Sequence, residues 1–114
     1  MLAAAVLALM AFVSFAVLAT AQIVIARSRA TAAADAAALA AAPLTFPPVS
    51  GGKSPVEEAV SLAAENGARL VSCLCSQVAT MDARRVEVTV AVPVDVLMLG
   101  RRWVHASSAA EFVP

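Results

Sequence analysis

The sequence predicts an α+β protein: a long N-terminal α-helix with a transmembrane part, then a short helix and a small antiparallel β-meander. Three observations carry this expectation. Residues 1–26 hold no charged side chain, residues 30–42 are almost wholly alanine, and Val86, Val88, Val90 and Val92 recur with a period of two. A chain of 114 residues is enough for one small domain. Hydrophobic residues make up 61% and charged residues 14%, against roughly 25% charged in an average soluble domain. Eight basic and eight acidic side chains cancel, which leaves no basic face to neutralise nucleic-acid phosphates. Such high hydrophobicity also excludes an intrinsically disordered chain. A membrane-associated or assembly-forming protein remains.

The first element is the apolar stretch. Among residues 1–26 the only polar side chains are Ser14, Thr20 and Gln22, and twelve positions are Leu, Ile, Phe or Val. A hydrocarbon core about 30 Å thick needs about 20 apolar helical residues, so residues 2–26 are long enough to span. At roughly −0.3 to −0.6 kcal/mol each, the twelve large apolar residues favour insertion by about 4–7 kcal/mol before polar terms. Leu2, Val6, Leu9, Phe12, Val13, Val17 and Ile23 are the expected apolar contact residues of this segment. Ala19-Thr20-Ala21 could be read as a signal-peptidase site, but the stretch is longer than a secretory h-region and follows no basic segment.

Residues 27–42, RSRATAAADAAALAAA, continue the helix because alanine has the best intrinsic helix propensity. Pro43 should end it, since proline lacks the donor and disfavours helix in the residue before it. The whole helix, 1–42, would then measure about 60 Å, twice the bilayer core, with residues 27–42 projecting. Ala30, Ala34 and Ala38 recur every fourth residue, a spacing that lets helix backbones approach closely. Asp35 stands alone in this smooth surface. It is either a solvated charge or a partner for Arg27 or Arg29 of a neighbouring chain.

Residues 43–54, rich in Pro, Gly and Ser, read as a linker, and residues 55–114 as a small head. Ser54-Pro55 opens a second helix: Ser54 is an N-cap, Pro55 suits the first helical position, and Ser54 with Glu57 forms a capping box. Val56, Ala59, Val60, Ala63 and Ala64 form one apolar stripe, and Asn66-Gly67 is a stop signal. Leu70–Cys75 reads as a strand and residues 85–92 as the clearest strand, with four valines on one face. Pro93 should end that strand or mark an edge. Trp103, His105 and Ser107 alternate along a weaker third strand.

Groups that carry chemistry are scarce. His105 is the only imidazole, and its surroundings match no nucleophile or metal motif. Cys73 and Cys75 lie two apart on one strand face, so they can bridge each other, pair between chains, or stay as buried small apolar residues. With His105 they supply at most three zinc ligands, a weak pattern. Arg84-Arg85 and Arg101-Arg102 are too dispersed for a phosphate track and read as solvated strand ends, although they could face anionic headgroups. No catalytic residue, metal, cofactor, nucleic acid or small-molecule substrate is expected.

The segment from Ala26 to Ala40, ARSRATAAADAAALA, resembles the signature that follows the transmembrane helix in TadE/TadG-like proteins of the Tad (Flp, type IVb) pilus system. Asn66-Gly67-Ala68-Arg69-Leu70-Val71-Ser72-Cys73 and the valine strand after it are similar to the small actinobacterial TadE-like branch. Thr31-Ala32 stand where that signature has Gln-Asn, and Ala5 stands where type IV pilins carry Glu, counting from Met1. The branch's earlier cysteine has no counterpart in residues 57–64, so the resemblance leaves Cys75 as the one intrachain partner for Cys73. The resemblance implies a pilin-like fold and a pilin or minor pseudopilin. Such a subunit is inserted in the inner membrane and then self-associates, or packs with other pilus subunits, in a helical filament. Arg27 and Arg29 alone would place the head in the cytoplasm by the positive-inside rule, whereas the pilin resemblance places it outside, on a cell-surface pilus. The outside placement is the expectation adopted. A monomeric single-pass protein whose head recruits or regulates a secretion or pilus machine is the alternative.

Overall fold

The computed structural model describes residues 1–113, so residue 114 of the expected head lies outside the described residues. The elements in order are α1 (Leu2–Leu44), α2 (Pro47–Ser50), α3 (Pro55–Glu65), β1 (Arg69–Leu74), β2 (Arg84–Val96) and β3 (Gly100–Phe112). The strands form one antiparallel sheet in the order β1-β2-β3. This is the α+β arrangement the sequence predicts. The molecule is a rod of 74 × 20 × 15 Å, because α1 alone runs 43 residues, about 64 Å at 1.5 Å per residue.

The two ends of α1 have different surroundings. Its C-terminal part turns Ala26, Ala30, Ala33, Ala34, Ala37, Ala38, Ala41 and Ala42 into the core. Against them lie Val86, Val88, Val90 and Val92 of β2, all fully buried, with Ala59 and Ala63 of α3 in the same cluster. Methyl side chains let the sheet and α3 approach the α1 backbone, and the branched valines fill the space that remains.

Pro43 does not end α1, contrary to the sequence expectation. It sits in the last turn, where its missing N–H costs a single helical bond. The turn closes through tighter bonds instead: the Thr45 N–H donates to the Ala42 carbonyl at 3.3 Å and the Phe46 N–H to that of Pro43 at 3.2 Å. Thr45 Oγ1 also donates to Ala42 at 2.7 Å. The expected linker 43–54 is likewise more ordered than its composition suggests, since Pro47–Ser50 make one helical turn that Gly51 stops in the left-handed region.

Ser54 caps α3 by accepting from the Glu57 N–H at 3.4 Å. At the other end Gly67 adopts φ +74°, with Ala68 N–H donating to Ala63 and Gly67 N–H to Ala64, a Schellman closure. The buried side of α3 is Pro55, Ala59 and Ala63, with Leu62 half-buried. Val56, Val60 and Ala64, expected in the apolar stripe, face outward. Small residues on both helices win that contact because they permit the closer approach.

In β1 the register slips between Leu70 and Ser72, a bulge at Val71. The slip breaks simple alternation and turns both Leu70 and Cys73 toward the core while Leu74 points out. β2 passes through Pro93 to Val96 rather than ending there. Its last β1 partner is Ala91, so beyond that point β2 is paired with β3 alone, and an edge tolerates proline. β3 is a full partner over 13 residues, longer than its weak alternation suggested.

Arg84 fastens the end of the molecule farthest from Met1. Its guanidinium donates to the carbonyls of Thr45 at 2.7 Å, Val78 and Thr80, and lies 5.6 Å from the Phe46 ring centroid. It thereby ties β2 to the end of α1 and to the connection between β1 and β2, a site remote from any headgroup role.

Replacing Arg84 with Ala should lower unfolding stability by on the order of 2–3 kcal/mol, read by thermal or denaturant melts in detergent. Ala38→Leu should cost about 1–3 kcal/mol by overpacking the α1–sheet contact, whereas Leu39→Ala, on the exposed side of the same turn, should change stability little.

Candidate assembly and membrane surface

The N-terminal part of α1 is almost bare: residues 1–14 are all exposed, and among residues 15–25 only Phe15, Ala19 and Gln22 are half-buried. Its most apolar 18-residue stretch is 0% buried, with a mean hydropathy of 2.6. Leu2, Val6, Leu9, Phe12, Val13, Val17 and Ile23, the residues expected to make apolar contacts, are all exposed. Apolar groups surround the whole circumference, so this stretch has no face suited to water and requires an apolar environment on every side. Thr20 Oγ1 donates to the Ala16 carbonyl at 2.8 Å, which satisfies its hydroxyl within the helix.

Ala30, Ala34 and Ala38 behave differently from the expectation of packing between subunits. Their surfaces are wholly covered by this chain's own head, so no neighbouring subunit can touch them while the head is folded. The head leaves another side of the helix open. Phe12, Val13, Ala16, Val17, Thr20 and Ala21 lead to Val24, and Arg27, Ser28, Thr31, Ala32 and Asp35 continue from it on one helical face. Arg27 and Asp35 therefore share an uncovered stripe. Asp35 accepts a hydrogen bond from the Ser108 hydroxyl of β3, and the stem of Arg29 runs beside Gly67 at the C-terminal end of α3. A cation there suits the negative end of the α3 dipole.

Cys73 and Cys75 meet on the core side of the sheet, their Cα atoms 5.3 Å apart, with Cys75 buried and Cys73 half-buried. His105 lies exposed on the outer side of β3, opposite Ala91. Among the described residues no group of three or more His, Cys, Asp or Glu could hold a metal ion. On the same outer side Arg69 stacks over Trp103 at 5.2 Å, crossing the small Ala91 between their strands.

One surface escaped the sequence reading. The β2–β3 connection presents Leu97, Met98 and Leu99, all exposed, and the Leu97 N–H donates to Gln22 Oε1 at 3.5 Å. The tip of the hairpin therefore lies beside the charge-free part of α1. Met98 adopts φ +64°, a left-handed conformation that costs an L-residue roughly 1–2 kcal/mol. Arg101 pairs with Asp95 at 3.5 Å just above the tip, an exposed contact worth under about 1 kcal/mol. The available signal was the run Val96-Leu97-Met98-Leu99, apolar where a turn is ordinarily polar.

Residues 1–43 match the Tad family, described as Flp pilus-assembly TadE/G-like. No curated protein and no solved structure matches the chain. The match ends within two residues of the end of α1, so it covers the bare apolar stretch and the alanine face together. The N-terminal helix thus matches a TadE/G-like pilus-assembly family over residues 1–43, which supports a pilus-related role, and it is long and apolar enough to cross a membrane.

Proposed function

We propose that the chain is a structural, pilin-like subunit of a Tad or type IV-like pilus, held in the membrane by residues 2–26 and packed through them into the filament. The head faces outside the cytoplasm in this reading. The observation that carries it is the division of one unbroken helix: half is apolar on every side and bare, half is sealed under the head. A soluble protein has no use for the first half. Lipid before assembly and neighbouring helices after it supply the same apolar environment.

Arg27 and Asp35 are the proposed inter-subunit charges. They lie eight residues apart on the uncovered stripe, a rise of about 12 Å. A parallel neighbour displaced by that distance brings its Asp35 level with Arg27. Residues 2–26 and the stripe together then form a single packing surface.

In cells carrying the rest of the pilus machinery, Val17→Asp should remove the chain from the sheared filament fraction; a wild-type chain that never enters filaments overturns the subunit reading. Asp35→Arg should reduce incorporation at least about tenfold, and Arg27→Asp together with Asp35→Arg should restore much of it, with Ser108→Ala controlling for the bond within the subunit. The Cys73–Cys75 pair reports orientation. With the head in an oxidising compartment, native protein should take up two alkyl groups only after reduction, whereas a cytoplasmic head should be alkylated directly.

A further inference from the structure

The hairpin tip at Leu97–Leu99 points toward the same end of the molecule as the bare half of α1, and its level can be fixed. Gln22 lies five residues, about 7.5 Å, before Arg27, the first charged residue of α1. Gln22, and the Leu97 N–H bonded to it, therefore stand just inside the end of the charge-free span. Arg27 and Arg29 on α1 and Arg101 and Arg102 on β3 come next above this level, with Trp103 a further step up β3. That order, apolar tip, then arginines and an indole, is the order of acyl chains and headgroups in a bilayer leaflet.

We infer that the β2–β3 hairpin is a second membrane contact, with Leu97, Met98 and Leu99 dipping into the acyl–headgroup boundary of the leaflet that α1 leaves. The inference rests on the membrane-anchored reading of α1. Three observations single out lipid as the occupant. The tip is continuous with the span through the Gln22 contact. Met98 is 93% exposed, which is unfavourable in water for a thioether side chain held in a left-handed turn where Gly or Asn fits more easily. The charges that flank the tip are arginines at the depth of anionic headgroups, and Asp95 is already paired with Arg101. The tip and α1 together touch the membrane at two points, which limits the tilt of the head against the bilayer surface.

Single-tryptophan variants of the full chain test this in phosphatidylcholine–phosphatidylglycerol vesicles containing lipids spin-labelled on the acyl chain near the headgroup. In a Trp103→Phe background, tryptophan is placed in turn at Phe12 in the span, Met98 at the tip and Met81 at the opposite end of the sheet. Leu99→Trp repeats the tip measurement at a residue without positive φ. Tip tryptophans should be quenched about threefold more strongly than Met81→Trp and be shielded from aqueous acrylamide. Equal quenching of the tip and Met81→Trp, with Phe12→Trp strongly quenched, overturns the hairpin contact and leaves the span intact. Failure to quench Phe12→Trp overturns the span reading and the hairpin contact with it. Shielding of the tip that appears only as protein density in the vesicles rises assigns the tip to a second copy and overturns the lipid contact.

Discussion

The alanine face of α1 under the valine face of β2 is the contact on which the rest of the structure depends. Alanine at every third or fourth position gives the helix a flat side, and Val86, Val88, Val90 and Val92 close on it with no exposed surface worth the name. A segment of this size buries too little surface to be comfortable alone. Here half of its core is lent by a helix that continues elsewhere. α3 uses the same device, turning Ala59 and Ala63 inward while Val56 and Val60 remain at the surface. Close approach, rather than side-chain volume, decides which residues are inside.

Much of this was readable in the residues. A charge-free segment, an alanine run, a serine cap before Pro55 and a four-valine alternation each report a local preference, and each element lies where that preference put it. Errors arose where a tertiary partner overrides a local rule. Pro43 reads as a stop, yet it sits where the helix is about to end; Pro93 reads as a stop or an edge, and β2 runs through it as an edge because its β1 neighbour is already lost. The bulge at Val71 is invisible to a period-two reading, although it decides that Leu70 and Cys73 face inward. The spacing of Ala30, Ala34 and Ala38 marks a surface suited to close approach, but spacing cannot say whether the covering element belongs to the same chain, and here it does. Arg84 looked like a solvated strand end, because its three carbonyl partners lie 4, 6 and 39 residues away.

The polar chemistry of the surface follows from the same division of labour. The Thr20 and Thr31 hydroxyls on α1 return to their own helix, and the only charged side chains on the uncovered stripe are Arg27 and Asp35. Two opposite charges on an otherwise bland surface specify register more than they add strength, since exposed pairs contribute little energy but like charges brought together are penalised. Packing of such stripes gains mainly from shape. The charges then select among the many axial offsets that shape alone would permit.

The absence of any break in α1 between its bare and covered halves has a mechanical consequence. A flexible linker between a span and a folded part would let the two turn independently. Here residues 26–42 are at once the continuation of the span and the floor of the head, and no joint exists at which to bend. Every rotation of the helix in its apolar surroundings becomes an equal rotation of the sheet. Which way the head faces is thus set by the orientation of the helix below it. Tension along the rod passes through hydrogen-bonded backbone and never through a loop.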